Sequence, residues 1–295
     1  MDQGLPRRSD QSVGTPRNDN TTMFNFLHTF HPSPVLFSIG PINIYWYGLF
    51  IVLGVLAAIG VAIYLAKLHG IKSEIILDLA VWLIVGGVMG ARIYDVFLEL
   101  PYFLTNPLDI FKIWQGGLAI HGAIIGGALA LWLFAKKYQR DFWQLASIAI
   151  TALPLGQAIG RWGNYFNQEL FGYPTNLAWG IPIDLAHRPW QYLNYEYFHP
   201  TFLYESLGNL IIFIILFTLH IKKVTSYELR VTSYLLLYSL LRFATEFIRL
   251  DPAPIIFGLR FPQLISLLVI ICCLIYFAVK FRRKISQKYG LEKNN

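Results

Sequence analysis

Seven apolar runs divide the chain, at about 45–66, 75–98, 117–137, 142–160, 202–220, 231–249 and 261–281. Each is near the ~20 residues that a helix needs to cross the hydrocarbon of a bilayer. The fourth is interrupted by Pro154 and Gly156, and broken backbone at membrane depth is tolerated only where protein buries it or water lines it. Ahead of the runs, residues 1–22 are polar and aperiodic and read as a disordered tail. A basic stretch followed by an apolar one is missing there, so no cleaved signal peptide is read; translation starts at Met1 or at Met23, where a more apolar piece begins. The expected class is all-α: a polytopic membrane protein of about seven transmembrane helices. A single transmembrane domain is expected over 23–285, with an external loop at 161–201 and a cytoplasmic tail at 286–295.

Composition agrees. Hydrophobic residues make up 55% of the 295 and charged ones 14%, against about 25% charged in soluble domains. The formal charge of +7 raises nucleic acid as a partner, but the basic residues sort by loop. Lys67 and Lys72 follow the first run, Lys136, Lys137 and Arg140 the third, and Lys222, Lys223 and Arg230 the fifth. Lys280, Arg282, Arg283, Lys284, Lys288 and Lys293 end the chain. The alternate loops hold Lys112, then Arg161 and Arg188, then Arg249 and Arg260. The positive-inside rule therefore puts the first set and the C-terminus in the cytoplasm and the N-terminus outside. Arg7, Arg8 and Arg17 on the tail pull weakly the other way. The charge is a topology signal, and no nucleic acid partner is expected. Cys272 and Cys273 are adjacent in an apolar run, without disulfide or metal spacing. They read as helix filler, and neither a metal nor a cofactor is expected.

With that topology, the intramembrane polar residues gather at one end. Tyr47 is near the outer end of the first run, and Arg92 and Asp95 near that of the second. His121 lies about 6 Å into the third at ~1.5 Å per residue. Arg161, Asn164 and Glu169 follow the fourth, His199, Tyr204 and Glu205 open the fifth, and Arg242, Glu246 and Arg249 close the sixth. Charged side chains in a bilayer cost ~3 kcal/mol or more and mark functional interiors. A water-accessible cavity in the outer leaflet, lined by at least three arginines, is expected. The cytoplasmic halves of the same runs are almost wholly apolar.

A guanidinium offers a planar, two-pronged donor set that suits phosphate, and the abundant phosphate of an outer leaflet is a phospholipid headgroup. Arg242, Glu246 and Arg249 fall on one helical face by spacing. Glu246 reads equally as a partner that neutralises buried charge, and Arg161 alternatively snorkels to the interface. His121, set among small residues in LAIHGAIIGG, is the candidate general base, although a lone histidine is as readily structural. His28, His31, His69, His187 and His220 have no comparable setting. A P-loop, GxSxG, HExxH and zinc spacing are all missing. An activated group must then arrive on the lipid itself, which points to transfer of a lipid moiety with the headgroup as leaving group. Two rivals remain: an anion channel or transporter, which needs polar residues through the cytoplasmic half, and a lipid-binding scaffold, which leaves His121 unexplained.

Six motifs in order carry a resemblance: YWYGL at 45–49, GARIYDV at 90–96, QGGLAIHGAIIGG at 115–127, GRWGNYFNQELFG at 160–172, HPTFLYE at 199–205 and RFATEFIR at 242–249. Over nearly all of 23–285 the chain resembles the bacterial prolipoprotein diacylglyceryl transferases. That resemblance implies transfer of the diacylglyceryl group of phosphatidylglycerol to the lipobox cysteine of a prolipoprotein, with a thioether formed and glycerol phosphate released. It also implies a place in the bacterial inner membrane, with membrane lipids around it. It assigns His121, Arg242, Glu246 and Tyr47 to catalysis, His121 as base for the thiol. It assigns Arg161, Asn164, Glu169 and Gly172 to binding phosphatidylglycerol, and Arg249 joins that set from the outer polar cluster. Three departures from the family pattern are Phe202, where a polar residue is common, Ser147, where some members have an acid, and Tyr165, commonly Phe. The aromatic 173–200 segment, with Trp179, Trp190, Tyr192, Tyr195 and Tyr197, reads as a loop that admits the lipobox peptide or as a passive interfacial anchor.

Overall fold

A computed structural model describes residues 22–288; residues 1–21 and 289–295, most of the expected tails, lie outside them. In order they form α1 (Thr22–Thr29), the hairpin β1 (Val35–Ile39) and β2 (Ile42–Tyr45), α2 (Trp46–Leu68), α3 (Ser73–Leu98) and the short α4 (Leu100–Thr105). Then come α5 (Ile120–Lys137), α6 (Phe142–Phe166), the pair β3 (Ile181–Pro182) and β4 (Tyr197–Phe198), and α7 (Thr201–Ile221). The chain closes with α8 (Tyr227–Thr245), the hairpin β5 (Ile255–Ile256) and β6 (Leu259–Arg260), and α9 (Phe261–Lys288).

Six of these helices are long and apolar enough to span a bilayer: α2, α3, α5, α6, α7 and α9. Of the 23 residues of α2 only Gly54, Ala62, Leu65 and Ala66 are buried. So bare an apolar surface suits lipid rather than water, and the chain is an all-α, multi-pass membrane protein. The seventh expected span is α8, 19 residues long, but Glu228, Arg230 and Arg242 make it more polar than the others. It starts earlier than the hydropathy suggests and stops at Thr245, with Glu246 as its C-cap. The run through 249 is not all helix, so the expected single face of Arg242, Glu246 and Arg249 is broken.

α6 lies at the centre and is one unbroken helix of 25 residues with Pro154 buried inside it. The interruption expected at Pro154 and Gly156 is thus absent. Gly156 serves close packing instead: a Cβ on the facing Gly54 of α2 would stand 2.7 Å from its carbonyl oxygen. α6 also runs to Phe166, which places Arg161 and Asn164 in its last turns rather than after it. α3 and α5 meet in the same way, Gly86 and Gly90 against Gly122 and Gly126, with no room for a Cβ at any of them. Small residues let membrane helices approach until their backbones touch.

Three buried clusters hold the bundle, the smallest being Ile212 and Leu216 of α7 with Tyr234 of α8. At the basic end Leu65, Ile76, Phe134, Leu145 and Ile148 pack together. At the other end Leu27, Tyr165, Phe171, Ile181, Ile183, Phe198 and Phe202 form a second core, so the 173–200 segment is a folded cap on α1, α6 and α7. The basic end is less apolar than expected. His69 Nε2 and His220 Nε2 lie 2.8 Å apart, His220 Nδ1 is 3.2 Å from Thr151 Oγ1, and Tyr227 Oη is 3.5 Å from His69 Nδ1. Thr151 donates to Ser147 O at 2.7 Å, and a hydroxyl has one proton. His220 then donates from Nδ1 and accepts at Nε2 from His69 Nε2, which makes the His220 ring neutral in this arrangement.

Candidate active site

α6 carries the first part of the site. Arg161 Nη1 donates to Asn164 Oδ1 at 3.3 Å, and Asn164 Nδ2 donates to Glu169 Oε1 at 2.7 Å. An amide is acceptor on one side and donor on the other, which is what links a cation to an anion here. Glu169 sits between Gln168 and Leu170, both left-handed at φ 51° and 55°; that region costs a non-glycine residue roughly 1 kcal/mol or more. Gln168 is held there by the cap: its Nε2 donates to Asp184 Oδ2 at 2.6 Å and to Pro32 O at 2.9 Å, and its Oε1 accepts from Asp184 N at 2.7 Å. The hydrogen bonds from Gln168 and His31 keep the Asp184 carboxyl below its ordinary pKa. Tyr47, at the start of α2, packs on Gly163, where a Cβ would stand 2.8 Å from the ring. It lies within Coulombic range of Glu169 and Arg161.

α7 carries the hub. Glu205 is 4% exposed. Its Oε2 is 2.7 Å from Arg161 Nε, and its Oε1 accepts from Arg249 Nη1 at 2.8 Å and lies 3.5 Å from Arg242 Nη1. Guanidiniums from α6, α8 and the turn beyond α8 thus converge on one carboxylate. Arg242 Nη2 is 2.8 Å from Glu246 Oε2, and Glu246 Oε1 is 2.8 Å from Arg260 Nε. Arg249 Nε donates to Asp251 Oδ1 at 2.6 Å. Burial favours the neutral acid of Asp251, but the hydrogen bond and charge of Arg249, with Arg260 and Arg242 behind it, outweigh that and hold its pKa below the ordinary value.

Buried charges persist when they are paired, and here four guanidiniums are in direct ion pairs with three carboxylates, while Glu169 reaches Arg161 only through Asn164. Some pairs are ionic without an aligned donor: the Nε–H groups of Arg161 and Arg260 are not aimed at the carboxylate oxygens beside them, and neither Glu246 oxygen receives an aligned hydrogen bond. Buried polar groups are normally hydrogen-bonded, so a carboxylate held by charge alone sets Glu246 apart from the ordinary core. The side chains of Arg161 and Arg242 keep 23% and 20% exposure, against 5% for Arg249. Those two have donors to offer.

The structure therefore brings together Tyr47, Arg161, Asn164, Glu169, Arg242, Glu246 and Arg249. Gly172 is a packing position: it donates to His199 O at 2.9 Å, and a Cβ there would meet Ile248 Cγ2 at 2.7 Å and Ile248 O at 2.8 Å. His121 stands apart, exposed in the first turn of α5, with its ring 5.9 Å from that of Tyr94; among the described residues no hydrogen bond or ion pair holds it. Arg92 is no cavity arginine. It donates to Ile110 O, Gly116 O and Gly117 O at 2.9 Å each and lies over Phe103, stapling the 106–117 segment to α3. Arg260 and Asp251 carried no motif in the sequence, Arg260 counting there only as a loop charge, and Glu205 gave no sign of being the hub.

The departures at Tyr165 and Phe202 compensate each other: their rings stack with centroids 4.6 Å apart. Ser147 accepts from Arg230 Nη1 at 3.2 Å.

Comparison with known proteins agrees with this geometry. The family model described as prolipoprotein diacylglyceryl transferase matches residues 34–279. A phosphatidylglycerol–prolipoprotein diacylglyceryl transferase from Nostoc sp. is 47% identical over 82% of this chain and 87% of its own length. Proteins of the same name from Synechococcus elongatus and Synechocystis sp. are 45% and 43% identical over 81% of the chain, and over 84% and 86% of their own lengths. An arginine-rich polar end on a bundle of lipid-exposed helices, matched nearly end to end by such relatives, makes this chain a member of the prolipoprotein diacylglyceryl transferase family.

Proposed function

We infer that this chain moves the diacylglyceryl group of phosphatidylglycerol onto the lipobox cysteine of a prolipoprotein, the first step of lipoprotein maturation, in the bacterial inner membrane. The observation that carries the reading is the pair Arg161 and Arg242, both drawn to Glu205 yet partly exposed. A phosphate that enters would compete with Glu205 for the two guanidiniums it holds. The alternation of basic loops puts this end of the bundle at the outer leaflet, where an exported prolipoprotein and a phosphatidylglycerol headgroup meet.

The reaction forms a C–S bond and breaks the C–O bond between the diacylglyceryl carbon and phosphate. A thiol has a pKa near ~8.5, so a base must raise its thiolate fraction. His121, with no bond to break first, takes the thiol proton. The electron pair of the breaking bond leaves on the phosphate oxygen of glycerol phosphate, and guanidiniums stabilise that developing charge. Asn164 and Glu169 hold Arg161 in line, Tyr47 closes the pocket from α2, and Glu246 and Arg249 fix Arg242 and Glu205 from behind. The 173–200 cap lies over this end and guides the lipobox peptide in.

Purified protein incubated with phosphatidylglycerol vesicles and a lipobox peptide is the test. Mass spectrometry is expected to show the peptide gaining one diacylglyceryl mass, with glycerol phosphate released in equal amount. An unmodified peptide, or headgroup release without thioether, would sink the reading.

A further inference from the structure

Arg260 is the one arginine of the cluster that sits on none of the helices or turns carrying the sequence motifs. The β5–β6 hairpin delivers it: Ile255 pairs with Arg260 and Ile256 with Leu259, across a turn in which Phe257 and Gly258 are both left-handed at φ 51° and 76°. Two left-handed central residues are the tight hairpin turn whose twist matches its strands. The hairpin ends where α9 begins, with Phe261 N donating to Pro254 O at 2.8 Å.

The donors of Arg260 all point inward. Nε is 2.8 Å from Glu246 Oε1, Nη1 donates to Arg249 O, and Nη2 donates to Asp251 O and lies 3.8 Å from Asp251 Oδ2. With both arms of its fork on backbone oxygens of one turn and Nε facing Glu246, Arg260 is committed to the 246–251 turn. We propose that Arg260 is a positioning residue: by occupying Glu246 Oε1 and clamping the 246–251 turn, it keeps Arg242 from closing both fork arms on Glu246 and so leaves Arg242 free to bind the lipid phosphate.

The charges agree with this. Arg260 faces Glu246 and Asp251, so removing it takes one positive charge from the cluster and lowers its attraction for an anion. The side chain of Glu246 is fully buried, so a second cation must answer its second oxygen or Arg242 will take both in the bidentate arrangement it favours. The proposal rests on the transferase reading for its substrate but acts on anion binding, which is measured separately.

The test compares wild type with Arg260→Gln and Arg260→Lys, in transfer and in binding of glycerol phosphate read by tryptophan fluorescence. Arg260→Gln is expected to raise KM for phosphatidylglycerol about 10-fold and weaken glycerol phosphate binding by a similar factor, with KM for the peptide unchanged. Arg260→Lys, which keeps the charge without the fork, is expected to recover part of both. Since residues in one network couple, adding Arg260→Gln to Glu246→Gln is expected to cost little more than Glu246→Gln alone. A drop in kcat with both KM values unchanged, an additive double variant, or unaltered glycerol phosphate binding would overturn the proposal. Should wild type bind glycerol phosphate without transferring lipid, the transferase reading fails while the role of Arg260 is still decided by the binding arm. Should Arg260→Gln fail to fold, glycerol phosphate binding by Arg260→Lys decides it: affinity equal to wild type refutes the fork.

Discussion

Arg161 Nε and Glu205 Oε2 stand 2.7 Å apart and tie the last turns of α6 to the first of α7. The same carboxylate holds Arg249 and faces Arg242, so removing its charge leaves three guanidiniums with a shared deficit. Losing one partner of a buried ion pair costs about 3–5 kcal/mol. Glu205→Gln is therefore expected to abolish transfer and to lower the melting temperature in detergent clearly, both at once. Arg161→Ala is expected to abolish transfer with a smaller loss of stability, because Arg161 is partly exposed. Equal stability of Glu205→Gln and wild type would remove Glu205 as the hub.

How much of this was legible in sequence differs by element. Apolar runs of spanning length report directly on α2, α3, α5, α6, α7 and α9, since lipid selects for composition over a fixed length. Where α8 ends was not legible, because hydropathy does not register the turn at 246–248 that closes it. Arg161, Asn164 and Glu169 were visible because steps of three and five residues put them together locally. Arg260 was invisible: it joins Glu246 only through the β5–β6 turn, and nothing in its neighbours marks it. Arg92 misled for the opposite reason, since depth and charge look alike whether an arginine faces a substrate or four carbonyl oxygens. His69 and His220 were passed over because 151 residues separate two rings that touch.

Tyr165 and Phe202 give a prediction of opposite sign to most. The Tyr165 hydroxyl is buried with no hydrogen-bond partner, and an unsatisfied buried hydroxyl costs ~1–3 kcal/mol. Tyr165→Phe keeps the stacked ring and removes that group. It is expected to raise the melting temperature and leave transfer unchanged, measured side by side in one detergent. Phe202→Ala empties the other half of the stack and is expected to cost about 3–5 kcal/mol.

His121 is expected to separate chemistry from stability. It is exposed and unbonded among the described residues, so His121→Asn is expected to leave the melting temperature unchanged. Loss of a general base costs about 10²–10⁴-fold in rate. The variant is expected to slow transfer within that range, read as the rate of diacylglyceryl mass gain on the lipobox peptide. A variant that transfers at the wild-type rate assigns the proton to another group.

The pH dependence of stability traces to the basic end. Burial, then the charges of Arg230 and Lys223, push the pKa of His69 below its ordinary value. A group whose folded pKa is depressed contributes stability that is present above its unfolded pKa, about 6.5, and lost as pH falls toward the folded one. Wild type is expected to lose melting temperature as pH falls below about 6.5, and His69→Gln, which has no proton to gain, to show a flatter profile. Equal slopes for the two would place the titrating group elsewhere.

Gly172 tests whether a residue that packs rather than reacts still governs the site. It bridges to Arg249 in an antiparallel pair, and its missing side chain leaves the space between Ile248 O and His199 Cβ, where a Cβ would stand 2.8 and 2.9 Å from them. Backbone cannot give way as a flexible side chain can, so Gly172→Ala must push the cap away from the turn that carries Arg249. Because Arg249 holds Glu205 and Glu205 holds Arg161, the shift reaches the phosphate side of the site. Gly172→Ala is expected to lower transfer at least as much as Arg249→Ala does, through a higher KM for phosphatidylglycerol. An active Gly172→Ala enzyme would mean that the cap and the arginine cluster move independently.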